Sequence, residues 1–341
     1  MKTIILEQPG VLRLAETDPP GQPGPGEALV RVRRVGICGT DLHAFAGRQN
    51  FFSYPRVLGH ELAVEVAAIG PTEQRLDLAV GDTCCVIPYL HCGQCIACRR
   101  GKTNCCVKMQ VLGVHRDGGM QEWIIVPVDK LLKAETIPLE HLALVEMLCI
   151  GAHAIRRAQL NDDDTLLIIG AGPIGLSIYQ FAKLTSTKVM ILEINKNRLA
   201  FCRQHLGPET VIDGKAESLA KIHKILDGEL PIAVFDATGN SMSMMQAFQY
   251  VAHGGQLIFV GHNPGEITFK DDEFHRRETT LLASRNATRE DFAWALAMLE
   301  KGEIDLTPWI TYRVSPDEII TEFPNWLNPD NNVIKAMLTF E

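Results

Sequence analysis

Four cysteines crowd one short stretch of this sequence. Cys92, Cys95, Cys98 and Cys106 stand in the pattern C-x2-C-x2-C-x7-C. Thiolates at such spacings close around one tetrahedral ion such as zinc, and a site with no open position is structural. Cys105 adjoins Cys106, so spacing leaves either of them as the fourth ligand. A second constellation is Leu166-Leu-Ile-Ile-Gly-Ala-Gly-Pro-Ile-Gly175, an apolar run entering G-x-G-x-x-G. Gly170 permits a tight turn there, Gly172 lets backbone approach a pyrophosphate, and Gly175 lets a helix pack closely on the strand. Pro173 and Ile174 open that helix, whose free N–H groups and positive dipole end point at phosphates. The next apolar run, Lys188-Val-Met-Ile-Leu-Glu193, ends in an acid about 20 residues on, where a carboxylate holds the ribose hydroxyls of NAD. Glu193 repels a 2′-phosphate, which favours NAD over NADP. Arg198, nearby in sequence, offsets part of that repulsion.

A third set is dispersed: Gly36-Ile-Cys-Gly-Thr-Asp-Leu-His43, Gly59-His-Glu61 and Val145-Glu-Met147. Each has an ordinary reading when taken alone. A lone Cys is usually a small core residue, and a lone Glu is usually a solvated surface group. Spacing does not join them.

Different elements must position these groups. Before about Cys149 the chain shows short β-like runs broken by Gly and Pro: Ala28–Val32, Leu62–Ile69, Thr83–Ile87 and Trp123–Val126. They predict a mostly β, barrel-like domain. From Gly151 to Arg285 the rhythm becomes strand, helix, strand. Leu166–Ile169, Lys188–Leu192, Ile232–Phe235, Gln256–Val260 and Thr280–Ala283 predict a doubly wound α/β sheet. The tail predicts a helix over Asp291–Gly302 and a last strand over Val333–Phe340.

Taken in order along the whole chain, these segments resemble the zinc-containing medium-chain dehydrogenases, the alcohol and polyol dehydrogenase superfamily. The resemblance implies an α/β protein. A GroES-like β-rich catalytic domain would span residues 1–150, with a structural zinc lobe at about 88–110. A Rossmann doubly wound parallel-sheet domain would span 151–285, and residues 286–341 would return to the first domain. It implies two zinc ions per subunit. Cys38, His60 and Glu146 would hold the catalytic one, with Glu61 as a nearby or alternate ligand and Asp41 as the carboxylate orienting His60. Met147 stands where polyol dehydrogenases have Pro, which leaves the backbone at Glu146 less constrained. Such a metal polarises an alcohol oxygen while the carbon passes hydride to a nicotinamide. Thr40 and His43 match the family's proton-relay positions, and a histidine merely making a backbone hydrogen bond is the competing reading for His43.

Finer resemblance concerns the substrate. Phe51-Phe-Ser-Tyr-Pro-Arg-Val-Leu-Gly-His60, Val111–Gly119 and Glu278–Thr288 are similar to bacterial sugar-acid dehydrogenases of the L-galactonate (L-gulonate) 5-dehydrogenase group. Sorbitol, threonine and simple alcohol dehydrogenases stand further off. Arg285 and Asn286 would face a polyhydroxy or sugar-acid substrate, an Arg there forking onto a carboxylate or hydroxyl pair; a structural salt bridge is the alternative for Arg285. Arg56 reads as a loop-fixing residue. The resemblance also implies a homodimer or homotetramer, with the Gln256–Val260 strand near the seam.

Composition bounds the rest. The chain has 341 residues, enough for two domains, and a net charge of −8 from 33 basic and 41 acidic residues without long single-sign blocks. That balance argues against nucleic-acid binding. Met1–Gly10 holds too short an apolar stretch for a secretory signal, and no apolar run is long enough to span a bilayer. A cytoplasmic enzyme is expected. A zinc-free reductase of the same fold would lack the Cys and His ligands. A non-catalytic dinucleotide-binding regulator would have lost one of Cys38, His60 or Glu146. Redox sensing through Cys84, Cys85, Cys149 and Cys202 competes with their use as packing residues, the reading favoured for Cys84 and Cys85 because adjacent residues in a strand face opposite ways.

Overall fold

In Glu27–Gly36 buried Ala28, Val30 and Val32 alternate with less buried neighbours, the period-2 pattern of a strand with one face on a core. It runs through the middle of a seven-stranded sheet in the computed structural model, which describes residues 1–49, 52–72, 77–185, 188–207 and 211–341. Phe51 lies outside the described residues. The chain divides into two units, Met1–Met147 with Thr288–Glu341, and Leu148–Ala287.

In the first unit Glu27–Gly36 pairs antiparallel with Glu61–Ile69, with Trp123–Pro127 and with Lys335–Thr339. The last of these comes from the C-terminal tail and also pairs parallel with Ile310–Val314. A hairpin of Lys2–Gln8 and Val11–Glu16 forms a separate small sheet. One apolar cluster runs from Ile4 to Phe340 through Val35, Leu58, Leu62 and Met120.

The second unit is a six-stranded parallel sheet. Its strands, numbered within the unit, lie in the order 3-2-1-4-5-6, from Val211–Asp213 through Lys188–Glu193, Thr165–Ile169, Ala233–Asp236 and Gln256–Phe259 to Thr280–Ala283. This is the order of a dinucleotide-binding doubly wound sheet, whose ligand site lies at the carboxyl ends of the strands where the order reverses. Leu167, Met190, Val234 and Leu257 build its core.

Three elements differ from the sequence reading. The tail helix is Arg289–Glu300, two residues earlier than its apolar pattern indicates. Asp291 is the third residue of a capping box, accepting from Thr288 N at 2.7 Å and Thr288 Oγ1 at 2.9 Å. The last strand is only Lys335–Thr339, because Asn332 takes a left-handed φ of 58°. Val211–Asp213 is a strand with too short an apolar run to read from sequence. Gln256–Phe259 is paired on both sides, and Thr280–Ala283 is the edge strand on that flank.

Candidate active site and metal centres

The strand order sets the first site. The β pairing places Gly36 opposite Glu61, and a Cβ on Gly36 would stand 2.2 Å from Glu61 Oε2. Glycine at 36 is therefore what gives the Glu61 side chain its room. Two residues on, Cys38 starts the helix Gly39–Phe45. Asp41 Oδ2 accepts from Cys38 N at 2.9 Å and holds that turn. Asp41 Oδ1 reaches Gly59 N at 3.4 Å, which fixes the residue before His60.

Within 4.8 Å of one another lie ligand atoms of Cys38, His60 and Glu61. His60 and Glu61 are buried and Cys38 is half-buried. The His60 Nδ1 has no hydrogen-bond partner and lies 3.8 Å from Asp41 Oδ1. The expected Asp41–His60 pair is thus adjacent but not closed to hydrogen-bond distance. Glu61 Oε2 is buried without a partner, while Oε1 accepts from Lys335 Nζ, which also donates to Ile37 O at 2.9 Å. Glu146 lies in the first turn of Val145–Ala158 and accepts from the Tyr89 hydroxyl. It stands outside the grouping of Cys38, His60 and Glu61, yet its charge acts on both His60 and Lys335. Burial pushes the Asp41 and Glu146 carboxyls up. For His60, burial pulls down, but the Cys38 and Asp41 charges outweigh it and the ring stands well above its ordinary value. For Lys335 burial is likewise outweighed, by Glu61 and Cys38. Sulfur, nitrogen and an unpartnered carboxylate oxygen converging in a buried, acid-rich pocket fit zinc.

Thr40 is half-buried and His43 is exposed, three residues apart on the helix that follows Cys38. Neither Lys335 nor Tyr89 was singled out by sequence. The one signal for Lys335 was a lone charge inside the apolar run Val333–Phe340. Nothing marked Tyr89. Arg56 bonds Asp117 at 3.1 Å and Ser53 at 2.8 Å, fixing the loop before Gly59. Arg285 is exposed in the second unit, and Asn286 beside it has a φ of 52°.

The cysteine lobe gathers Cys92, Cys95, Cys98 and Cys106, with ligand atoms within 4.8 Å of one another. Cys95 Sγ lies 3.5 Å from Cys98 Sγ, and Cys106 Sγ 3.5 Å from Cys92 Sγ. Cys105 is exposed and outside the group. Backbone N–H groups of Cys92 and Lys108 each approach Cys106 Sγ at 3.3 Å. Backbone N–H groups of Cys98 and Val107 bring the Cys95 thiol down to about 6, and burial pushes Cys98 up to about 12. Backbone N–H groups also bring the Cys92 thiol down, so the lobe favours thiolates of the kind a metal ion takes. Cys84, Cys85, Cys149 and Cys202 are buried. Burial pushes Cys84 and Cys202 up to about 12 and Cys85 up as well, which suits packing and opposes thiolate chemistry.

In the second unit, Gly170 has a φ of 95° and turns the chain from strand Thr165–Ile169 toward helix Pro173–Ala182, whose N-cap is Gly172. A Cβ on Gly175 would lie 1.8 Å from Gly170 O, so the helix approaches the turn as closely as backbone allows. Glu193 is buried, and Oε2 accepts from Ala171 N at 2.7 Å. Its Oε1 accepts from Ile194 N and Asn195 N at 2.7 and 2.8 Å. The acid thus ties the end of its own strand to the glycine turn while keeping lone pairs for a ribose. Arg198 Nη1 lies 3.9 Å from Glu193 Oε2 and 3.5 Å from where a Gly172 Cβ would stand.

The two adjacent cysteines make a direct test. Cys105→Ser should retain two zinc ions per chain by elemental analysis, whereas Cys106→Ser should retain one. Loss of a zinc from Cys105→Ser, with Cys106→Ser unaffected, would reverse the assignment.

The comparisons with known proteins agree with this geometry. The alcohol dehydrogenase GroES-like domain model matches residues 24–136, and the zinc-binding dehydrogenase model matches residues 173–301. The chain is 40% identical to L-galactonate-5-dehydrogenase of Escherichia coli K12 over 344 aligned positions, covering 100% of this chain and 99% of that protein. Among solved structures, an alcohol dehydrogenase from Escherichia coli CFT073 complexed with NADH superposes with a TM-score of 0.91 at 28% identity, covering 100% of this chain and 99% of that one. Galactitol-1-phosphate dehydrogenase from Escherichia coli superposes with a TM-score of 0.90 at 26% identity, covering 100% of both chains. With the glycine turn, the cysteine lobe and the Cys38 pocket all in place, the chain belongs to the zinc-binding, nicotinamide-dependent alcohol dehydrogenases of the medium-chain superfamily.

Proposed function

We propose that this dehydrogenase oxidises a secondary hydroxyl of a sugar acid of the L-galactonate type to a ketone, with NAD as hydride acceptor. The full-length 40% identity to L-galactonate-5-dehydrogenase carries the substrate. The Cys38–His60–Glu61 pocket supports the reaction class, with Glu146 against it. Zinc there would polarise the hydroxyl and lower its pKa. Cys38, His60 and one or both glutamates would hold it. Lys335 holds the Glu61 side chain in place, and Thr40 and His43 offer the departing proton a face of one helix leading from half-buried to exposed.

NAD is preferred because Glu193 stands where a 2′-phosphate would fall, and Arg198 already lies near that carboxylate. The ten cysteines form no disulfide among the described residues, and four of them gather as metal-type thiols, which suits a cytoplasmic enzyme. The chain would associate with a second copy along Thr280–Ala283. That strand closes the parallel sheet on one flank and leaves Leu281 exposed.

NADH formation by zinc-loaded protein is the functional test, measured across L-galactonate, L-gulonate, polyols, threonine and simple alcohols, with NADP in parallel. Turnover of the aldonates with NAD, falling at least about a hundredfold in Cys38→Ala, is expected; turnover confined to polyols or simple alcohols would refute the sugar-acid assignment. Light scattering should show Leu281→Lys shifted toward monomer relative to the parent protein. An unchanged oligomeric mass would place the seam elsewhere.

A further inference from the structure

Tyr89 stands at the neck of the cysteine lobe and bonds Glu146 beside the catalytic pocket. The chain leaves the strand Tyr89–Leu90, passes through all four lobe cysteines and returns as Gln110–Val111. The two strands pair antiparallel, Tyr89 with Val111 and Leu90 with Gln110, so they close the neck of the lobe. Tyr89 is 4% exposed. Its ring meets Phe292 edge-on, with centroids 6.2 Å apart, and Phe292 is fully buried in helix Arg289–Glu300. From that fixed ring the hydroxyl donates to Glu146 Oε1.

The bond matters because of what each partner would be without it. A buried phenol hydroxyl and a buried carboxylate both need partners. A glutamate side chain on the first turn of a helix also has several rotamers to lose. Fixing Oε1 stops rotation of the carboxylate and leaves Oε2 to face the neighbouring groups. Groups that orient a ligand from behind are typically worth about 10–100-fold in metal affinity or activity.

We propose that Tyr89 is a positioning residue for Glu146, and that through it the order of the four-cysteine lobe reaches the catalytic metal pocket. This rests on the reading that Cys38, His60, Glu61 and Glu146 surround the catalytic metal. A filled lobe holds its neck in one geometry and the Tyr89 hydroxyl with it. An emptied lobe leaves that neck to two residue pairs and to the packing of Tyr89 on Phe292, and the hydroxyl's hold on Glu146 loosens.

Tyr89→Phe keeps the ring on Phe292 and deletes only the hydroxyl. Cobalt(II) is the probe, bound to protein whose lobe holds zinc, and its affinity is read from visible absorption. Wild type, Tyr89→Phe, Glu146→Gln and the double variant form a cycle. Tyr89→Phe should weaken cobalt binding about tenfold with lobe zinc unchanged, and the double variant should bind no more weakly than Glu146→Gln. Removing the lobe zinc by Cys98→Ser should weaken cobalt binding at the pocket in the otherwise wild-type chain and not further when Tyr89→Phe is added. Unchanged affinity in Tyr89→Phe, or additive losses in the Tyr89→Phe, Glu146→Gln variant, would overturn the positioning role. Full affinity in Cys98→Ser would overturn the link to the lobe. Identical cobalt spectra in wild type and Cys38→Ala would instead sink the pocket reading on which the inference rests.

Discussion

Too many acids share one buried space in the first unit. Asp41 and Glu61 are fully buried, Glu146 nearly so, and the Cys38 thiol adjoins them. Two like charges about 4 Å apart repel by about 4 kcal/mol at an effective dielectric near 20, so such a cluster persists only if protons or other positive charge enter it. Lys335 supplies one charge, and the raised His60 ring supplies another when no metal is present. A divalent cation between Cys38, His60 and the glutamates answers the same demand more fully and would return His60 to its neutral, ligating form. Much of the fold of this unit serves that compensation. The C-terminal strand crosses back to lie beside Glu27–Gly36 and brings Lys335 to Glu61, and Gly36 is bare so that Glu61 has room.

Charge compensation also explains the division of labour between the two glutamates. Glu61 is held by a cation from the tail, and Glu146 by a neutral hydroxyl from the neck of the cysteine lobe. Their partners differ in kind, so the carboxylates are not equivalent. Glu61, with one orphaned oxygen, is ready to ligate as it stands. In the second unit the same economy appears at Glu193. Its carboxylate is satisfied by three backbone N–H groups at 2.7–2.8 Å, which fixes it before any ribose arrives.

The parts legible from sequence were those in which one local pattern carries the physics. Gly170, Gly172 and Gly175 follow an apolar strand, and the four cysteines sit at ligand spacing, so both sites stood out from the residues themselves. The strands read from sequence were those with an apolar run of about four residues or more, while Lys2–Gln8, Val11–Glu16 and Ile310–Val314, with shorter or interrupted runs, were not read. Cys38, His60 and Glu146 could be joined only by resemblance, because Cys38 and His60 meet through the pairing of distant strands and Glu146 comes from a later helix. The same nonlocality hid Lys335 and Tyr89, which matter only because strand register lays them against Glu61 and Glu146. Val211–Asp213 was missed because three residues make too short a run, and the start of the tail helix because a capping box displaced the apolar pattern.

Anomalous diffraction at the zinc edge, from crystals of the zinc-loaded protein, tests the charge-compensation account most directly. Two peaks per chain are predicted, one among Cys92, Cys95, Cys98 and Cys106 and one bounded by Cys38, His60 and a glutamate. A single peak in the cysteine lobe, with Glu61 and Lys335 still paired beside an empty pocket in zinc-saturated crystals, would contradict it.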